Sequence, residues 1–294
     1  GSGRMQRIGF VGLGMMGAPM AANLLEKGFQ VTAQDVRSEA VDQLVARGAS
    51  AAAGLGDLVD CDGVIVMVNT DAQARQVIEA LISLLRERPR PIISMATILP
   101  STARELGETA GAAGIGLLDA PVSGGPIVAQ AGGLAIMVGG DAGLFDQARP
   151  AFEAMGNVVR HVGPLGTGLT VKLVNNMIAI SAAPLVLEAL RIGLAQGMDL
   201  STMVDVIRAS SGNTWLTQEW DQSKMFLQFA LRDPSQLEGF VATGLKDMEL
   251  VASTCAAAGI DAPLLHHSIR ALEELGVEGF RSNLATVLEA LQSD

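Results

Sequence analysis

Lys172 and Asn176 are the residues of this 294-residue chain whose types and spacing point most directly to chemistry. They stand four apart in Gly166-Thr-Gly-Leu-Thr-Val-Lys-Leu-Val-Asn-Asn176, in the middle of an otherwise apolar run with helical character. Side chains at i and i+4 lie one above the other on a helix, so an ammonium and an amide can converge there on one small molecule. An unpaired ammonium in an apolar stripe is costly, and lysine answers burial by giving up its proton more readily. Such a lysine can carry a proton near neutral pH. The competing reading is a lysine that snorkels from a helix start or closes a structural salt bridge. Asn175 points roughly the same way, so spacing alone leaves the choice between Asn175 and Asn176 open.

A second motif lies near the start of the chain. Gly12-Leu13-Gly14-Met15-Met16-Gly17 follows the strand-like run Arg7-Ile-Gly-Phe-Val11 and opens a helical stretch. In this context Gly12 permits a tight turn, Gly14 lets backbone approach a pyrophosphate, and Gly17 allows close helix–strand packing. The helix N-terminus supplies free N–H groups and the positive dipole end. Asp35, at the end of the next strand-like run, is placed to accept bonds from ribose hydroxyls and to repel a 2′-phosphate. That pattern favours NAD over NADP, although Arg37 two residues on is the residue type that pairs with phosphate.

Asp119-Ala-Pro-Val-Ser123-Gly124-Gly125 ends a short apolar run in a Ser-Gly-Gly loop. Successive backbone N–H groups form a concave donor surface suited to a carboxylate, and the Ser123 hydroxyl adds a donor. A flexible turn is the alternative. Lys246-Asp247 reads as a solvated helix face. His161, His266 and His267 have no partner at catalytic or metal spacing, and Trp215 and Trp220 are core anchors or pocket walls. Cys61 and Cys255 match no metal or redox spacing, which implies two reduced thiols, a cytoplasmic setting and no metal site.

The elements that must position these residues follow from hydrophobic periodicity. Strands are expected at 7–11, 29–34, near Ala49, and at 63–68, 91–94, 116–119 and 134–138. Between them come helices after Gly17, from about Ser38 to Arg47, from near Leu55, at 71–86 and from Pro100. Strands alternating with helices imply a parallel, doubly wound sheet. From Val162-Gly-Pro-Leu-Gly166 onward only helical periodicity remains, with turns at Gly197, Gly212, Pro234, Gly259–Pro263 and Gly276–Gly279, and a kink at Pro184. The expected fold is α/β, an N-terminal Rossmann doubly wound sheet followed by an all-helical C-terminal domain. The expected domains are 5–164 for nucleotide binding and 165–294 for substrate and dimerisation.

Composition narrows the partners. A net charge of -11 argues against nucleic acid and anionic membrane surfaces. The longest charge-free apolar segment, Leu173 to Leu187, is shorter than the roughly twenty residues that span a bilayer, and no secretory signal is apparent. Gly1-Ser-Gly-Arg4 reads as an expression remnant. Small residues are abundant and tyrosine is absent, which suits closely packed layers.

Taken in order, Gly12-Leu-Gly-Met-Met-Gly-Ala-Pro-Met20, Asp119-Ala-Pro-Val-Ser-Gly-Gly-Pro126, Gly168-Leu-Thr-Val-Lys-Leu-Val-Asn-Asn176 and Leu245-Lys-Asp-Met248 resemble the β-hydroxyacid dehydrogenase family over the whole chain from Met5. The resemblance implies a Rossmann domain, a helical domain and an active site in the cleft between them. It implies Lys172 as the catalytic lysine, Asn176 as the substrate-orienting amide and Ser123, Gly124 and Gly125 as the carboxylate loop. Lys246 becomes a cofactor-side contact, with Phe240 lining the nicotinamide region. Val68 and Asn69 fall where members commonly have Leu-Pro contacts to the cofactor. Thr97 matches the threonine of a Ser-Thr pair whose serine is Ala96 here, and Ser94 replaces a frequent aspartate. NADP-using members often carry Asn-Arg where this chain has Asp35-Val36, which favours NAD. Ser211-Gly-Asn-Thr-Trp215 is similar to the hydroxyisobutyrate-type members. The expected activity is hydride transfer between NAD and a short β-hydroxy acid, a small carboxylate, by a homodimer or homotetramer. An imine reductase and a non-catalytic NAD-binding module are the alternatives; the first generally lacks the lysine, and the second needs neither it nor the Ser-Gly-Gly loop.

Overall fold

The computed structural model describes residues 5–290, the Phe226 side chain excepted; Gly1–Arg4, expected above to be an expression remnant, lie outside them. The chain divides into two compact units between Lys172 and Leu173.

The first unit is built on one sheet. β1 (Arg7–Val11), β2 (Gln30–Gln34), β3 (Ser50–Ala51), β4 (Gly63–Val66), β5 (Ile92–Ser94) and β6 (Leu117–Asp119) pair in parallel in the order β3-β2-β1-β4-β5-β6. β1, β4, β5 and β6 are almost wholly buried, so they read as continuous apolar runs rather than alternating ones. The crossovers are α1 (Gly17–Glu26), α2 (Ser38–Val45), α3 (Asp71–Leu84) and α4 (Pro100–Ala112). Thr70 caps α3 in a reciprocal capping box with Gln73, and Pro100 opens α4 at a position that needs no N–H. One apolar cluster, with Phe10, Met20, Leu24 and Phe152, and a second, with Leu58, Ile78, Ile82 and Leu106, form the core of this unit.

Three features depart from the expected parallel plan. The helix expected from Leu55 is a single 3-10 turn, Leu55–Leu58. After β6 the chain makes β7 (Val122–Ser123), the short helix α5 (Gly125–Gln130) and β8 (Leu134–Gly139), and β8 runs antiparallel to both β6 and β7. Only residues 124–133 separate β7 from β8, fewer than the dozen or more of a parallel crossover, so the chain returns in the opposite direction. α6 (Ala142–Met155) then leads to β9 (Gly156–Gly163), which pairs in parallel with β8.

Asp62 ties the start of β1 into this sheet. Its carboxylate accepts the backbone N–H groups of Gln6 at 3.0 Å and Arg7 at 2.9 Å, and the Arg7 guanidinium at 2.8 Å. Burial pushes its pKa up, but the Arg7 side chain and the two N–H groups outweigh burial and hold it at about 2. A depressed carboxylate stabilises the fold above its unfolded pKa of about 3.9 and loses that contribution as pH falls through the folded value. Asp62→Asn is therefore expected to lower unfolding free energy by about 1 kcal/mol at pH 7, after discounting for partial exposure. Urea titrations should show that gap shrinking as pH falls from 5 towards 2; a constant gap would rule out the ion pair as its source.

The second unit is helical. α7 (Thr167–Ala195) enters it from the first unit and continues as one helix past Pro184. It is followed by α8 (Leu200–Arg208), α9 (Trp215–Gln218), α10 (Trp220–Arg232), α11 (Pro234–Ala258) and α12 (Pro263–Glu289). Gly259 ends α11 in the left-handed conformation at φ 66°. α12 is broken at Gly276, whose φ of 57° and ψ of -175° no side chain would favour. Leu187, Leu190, Trp220, Phe280 and Leu284 belong to one core cluster; Leu173, Met248, Val251 and Leu265 form another. α7 is long and apolar enough by composition to cross a membrane, and Val174, Ile178, Leu185 and Ile192 are exposed along it.

Candidate active site

The glycine turn is the best-defined part of the site. A Cβ on Gly12, at φ 96°, would stand 2.0 Å from the Met67 carbonyl oxygen, and one on Gly17 would stand 2.0 Å from that of Gly12. Packing of the protein itself demands glycine at both. Gly14 is different, because a Cβ there would meet nothing within 4 Å. The space beside it is open at the N-terminus of α1, the room that close approach of a pyrophosphate would need. Leu13 is buried, Met16 half-buried and Met15 exposed.

Asp35 closes the far side of this turn. Its Oδ2 accepts the Leu13 N–H at 2.6 Å, and its Oδ1 accepts the Arg37 backbone N–H at 2.9 Å and the Arg37 Nε at 3.1 Å. Burial raises its pKa, but Arg37 and the Leu13 N–H outweigh that and lower it. The Arg37 guanidinium also donates to the Leu13 carbonyl at 3.0 Å, so arginine and aspartate hold each other across the turn. Val68 is half-buried and Asn69 exposed after β4, with the Asn69 N–H donating to Gln73 Oε1 at 3.1 Å. Thr97 is half-buried after β5.

The Ser123–Gly125 loop joins β7 to α5. Gly124 and Gly125 have φ of 138° and 75°, so both occupy backbone conformations open mainly to glycine. Ser123 and Gly125 are half-buried and Gly124 is exposed.

Lys172 is 8% exposed and Asn176 9%, one turn apart on α7. The structure separates the two asparagines: Asn175 is exposed, whereas Asn176 donates its amide to Asp247 Oδ2 at 2.6 Å. This overturns the solvated-face reading of Lys246-Asp247 for its second residue. Asp247 is 3% exposed on α11, and its Oδ1 stands 3.4 Å from the Lys246 ammonium. The signal was available in the spacing of Leu237, Val241, Gly244, Met248 and Val251. That stripe is the buried face of α11, and Asp247 lies three residues after Gly244 and four before Val251. Lys246 falls off it and is partly exposed. Phe240 packs against Phe280 at 5.8 Å between ring centroids.

The remaining candidates resolve into structure. His161 stacks on Phe145 and pairs with the Gly140 carbonyl at 2.8 Å. Trp220 is a core anchor, whereas Trp215 is largely exposed and donates to the Ala179 carbonyl at 2.9 Å. Cys61 is buried and burial raises its thiol pKa; Cys255 is half-buried, and both are free.

A Rossmann sheet with this glycine turn, a buried lysine in the first turns of the helix that leaves it, and an all-helical unit after that define a nicotinamide-dependent oxidoreductase. Residues 7–163 match the family described as the NAD binding domain of 6-phosphogluconate dehydrogenase. Residues 166–288 match the NAD-binding domain of NADP-dependent 3-hydroxyisobutyrate dehydrogenase. An NAD-dependent L-serine dehydrogenase of Pseudomonas aeruginosa is 34% identical over 98% of each chain. A 3-hydroxyisobutyrate dehydrogenase of the same organism is 38% identical, covering 88% of this chain and 89% of that one. Among solved structures, Mycobacterium tuberculosis 3-hydroxyisobutyrate dehydrogenase with L-serine superposes with a TM-score of 0.83 at 30% identity, covering 96% of this chain and 99% of that one. The chain belongs to the β-hydroxyacid dehydrogenase family, and its chemistry is oxidoreduction at a CH–OH group.

Proposed function

We propose that this protein transfers hydride reversibly between NAD and a short β-hydroxy acid, with Lys172 as the proton carrier. The observation that carries the reading is the buried Lys172 one turn from an Asn176 whose amide is fixed by a buried carboxylate. A lysine so enclosed can take the substrate hydroxyl proton as the carbinol carbon gives up hydride, and return it in the reverse direction. Asn176 orients the substrate, and the Ser123–Gly125 loop binds its carboxylate through backbone N–H groups and the Ser123 hydroxyl. Gly12–Gly17 and Asp35 hold NAD, which supplies the hydride acceptor; Val68, Asn69 and Thr97 complete its surroundings on this unit. The exposed apolar face of α7 favours a homodimer or homotetramer in which a second copy covers it.

The test is NAD reduction with 3-hydroxyisobutyrate, 3-hydroxypropionate, glycerate, threonate, 4-hydroxybutyrate and L-serine, the last because a relative is named for it. Each is run in parallel with NADP. Turnover of a 3-hydroxy acid with NAD supports the reading; intact NAD binding with no turnover across the set defeats it.

Cofactor choice has its own test. Asp35 presents a carboxylate where a 2′-phosphate would come, and it also occupies Arg37. Asp35→Ser removes the repulsion and releases the arginine. The ratio of kcat/KM for NAD over NADP is expected to fall by about 10- to 100-fold, the scale of a lost charge-assisted hydrogen bond. An unchanged ratio would remove Asp35 from the cofactor site.

A further inference from the structure

The end of β6 holds a buried carboxylate that the proposed chemistry does not use. Asp119 is 0% exposed; its Oδ1 accepts the Gly166 N–H at 2.7 Å and its Oδ2 the Leu169 N–H at 2.8 Å. These are N–H groups at the start of α7, where a helix leaves donors without internal partners. A local Ser, Thr, Asp or Asn is the usual cap. Here Gly166 stands at that place, and the cap comes from a strand residue 47 positions earlier.

Backbone packs around this carboxylate. A Cβ on Gly139 of β8 would lie 2.3 Å from Asp119 Oδ1, and one on Gly168 would lie 3.0 Å from Oδ2 and 2.3 Å from the Met137 carbonyl oxygen. Burial raises the Asp119 pKa while the Gly166 and Leu169 N–H groups oppose it, so this is a costly way to cap a helix. What it supplies is location. Lys172 follows Leu169 by one helical turn, and Ser123 follows Asp119 by four residues, so one side chain joins the lysine helix to the strand that feeds the Ser-Gly-Gly loop.

We propose that Asp119 is a positioning residue: its carboxylate fixes the first turn of α7 to the end of β6 and thereby sets Lys172 relative to the Ser123–Gly125 loop. This rests on the reading of Lys172 as the proton carrier. Asp119→Asn keeps the volume but turns an N–H₂ group towards one of the two backbone donors. The expected result is a fall in kcat of about tenfold or more, the scale of a small misplacement of a reacting group. NAD affinity by calorimetry should stay within about twofold of wild type, and the pH limb of kcat assigned to Lys172 should be displaced. A lowered melting temperature with kcat per folded molecule unchanged would overturn the proposal and leave Asp119 a purely structural cap. If Lys172→Ala abolishes turnover while Asp119→Asn leaves kcat intact, this proposal alone fails; if Lys172→Ala remains active, the reading beneath it fails first. Should Asp119→Asn not fold, Asp119→Ser takes its place. It removes the carboxylate that spans the Gly166 and Leu169 N–H groups while keeping a small hydroxyl acceptor. A severalfold fall in its kcat at constant NAD affinity supports the positioning role, and an unchanged kcat overturns it.

Discussion

Lys172→Ala is expected to lower kcat by about a thousandfold, within the range of general acid–base catalysis by a placed side chain. Alanine is a good helix former and Lys172 is buried, so α7 should persist and NAD should still bind at Gly12–Gly17. The loss should appear in kcat and kcat/KM together, because the proton is in transit only as the reaction proceeds. Lys172→Arg should not restore the rate, since a guanidinium does not give up its proton in this pH range. Initial rates with saturating NAD and substrate check both variants. A mutant within about tenfold of wild type would place Lys172 outside the chemistry.

Gly14→Ala is expected to separate cofactor binding from stability. Because a Cβ there meets no protein atom within 4 Å, unfolding free energy should stay within about 0.5 kcal/mol of wild type. In the proposed site the same methyl group would stand where backbone approaches the pyrophosphate, so NAD affinity should fall by roughly 100-fold, about 2.7 kcal/mol. Gly17→Ala should behave oppositely. Its Cβ would sit 2.0 Å from the Gly12 carbonyl oxygen, so the turn must shift, and an overpacking cost of about 1–3 kcal/mol falls on folding itself. Calorimetric NAD titration with urea unfolding of each variant decides the matter. Equal destabilisation by both would mean that Gly14 is also an internal packing glycine.

Most of the first unit is legible in the sequence because its strands are buried on both faces and its helices are punctuated by glycine and proline. β9 escaped for the opposite reason. It is a half-exposed strand, Asn157-Val-Val-Arg-His-Val, with no apolar run to announce it. β7 is two residues long and carries no periodicity. At the candidate site, Asp35 meets the glycine turn through the Leu13 N–H, a contact between neighbouring strand ends that the sequence pattern suggests. The burial of Asn176 beside an exposed Asn175 is not suggested there, because it goes with Asp247, 71 residues away. Asp119 is visible in the sequence as the end of a strand and the start of a loop motif; its contact with α7 is a tertiary fact. Adjacent charges such as Lys246 and Asp247 invite the same assignment for both, although neighbouring positions on a helix face different ways.

The break at Gly276 divides α12 into two helices of about a dozen residues each, lengths at which an isolated helix is marginal in water. Helical hydrogen bonding cannot propagate across that residue, so each half must nucleate for itself. The halves lean mainly on different supports: Leu265 belongs to the cluster with Leu173 and Met248, while Phe280, Leu284 and Val287 belong to the cluster with Leu187 and Trp220, which Leu275 at the end of the first half also touches. Amide exchange along this one continuous stretch would then be a two-channel reporter. Its N-terminal half registers the loosening of one core, and its C-terminal half registers the loosening of the other.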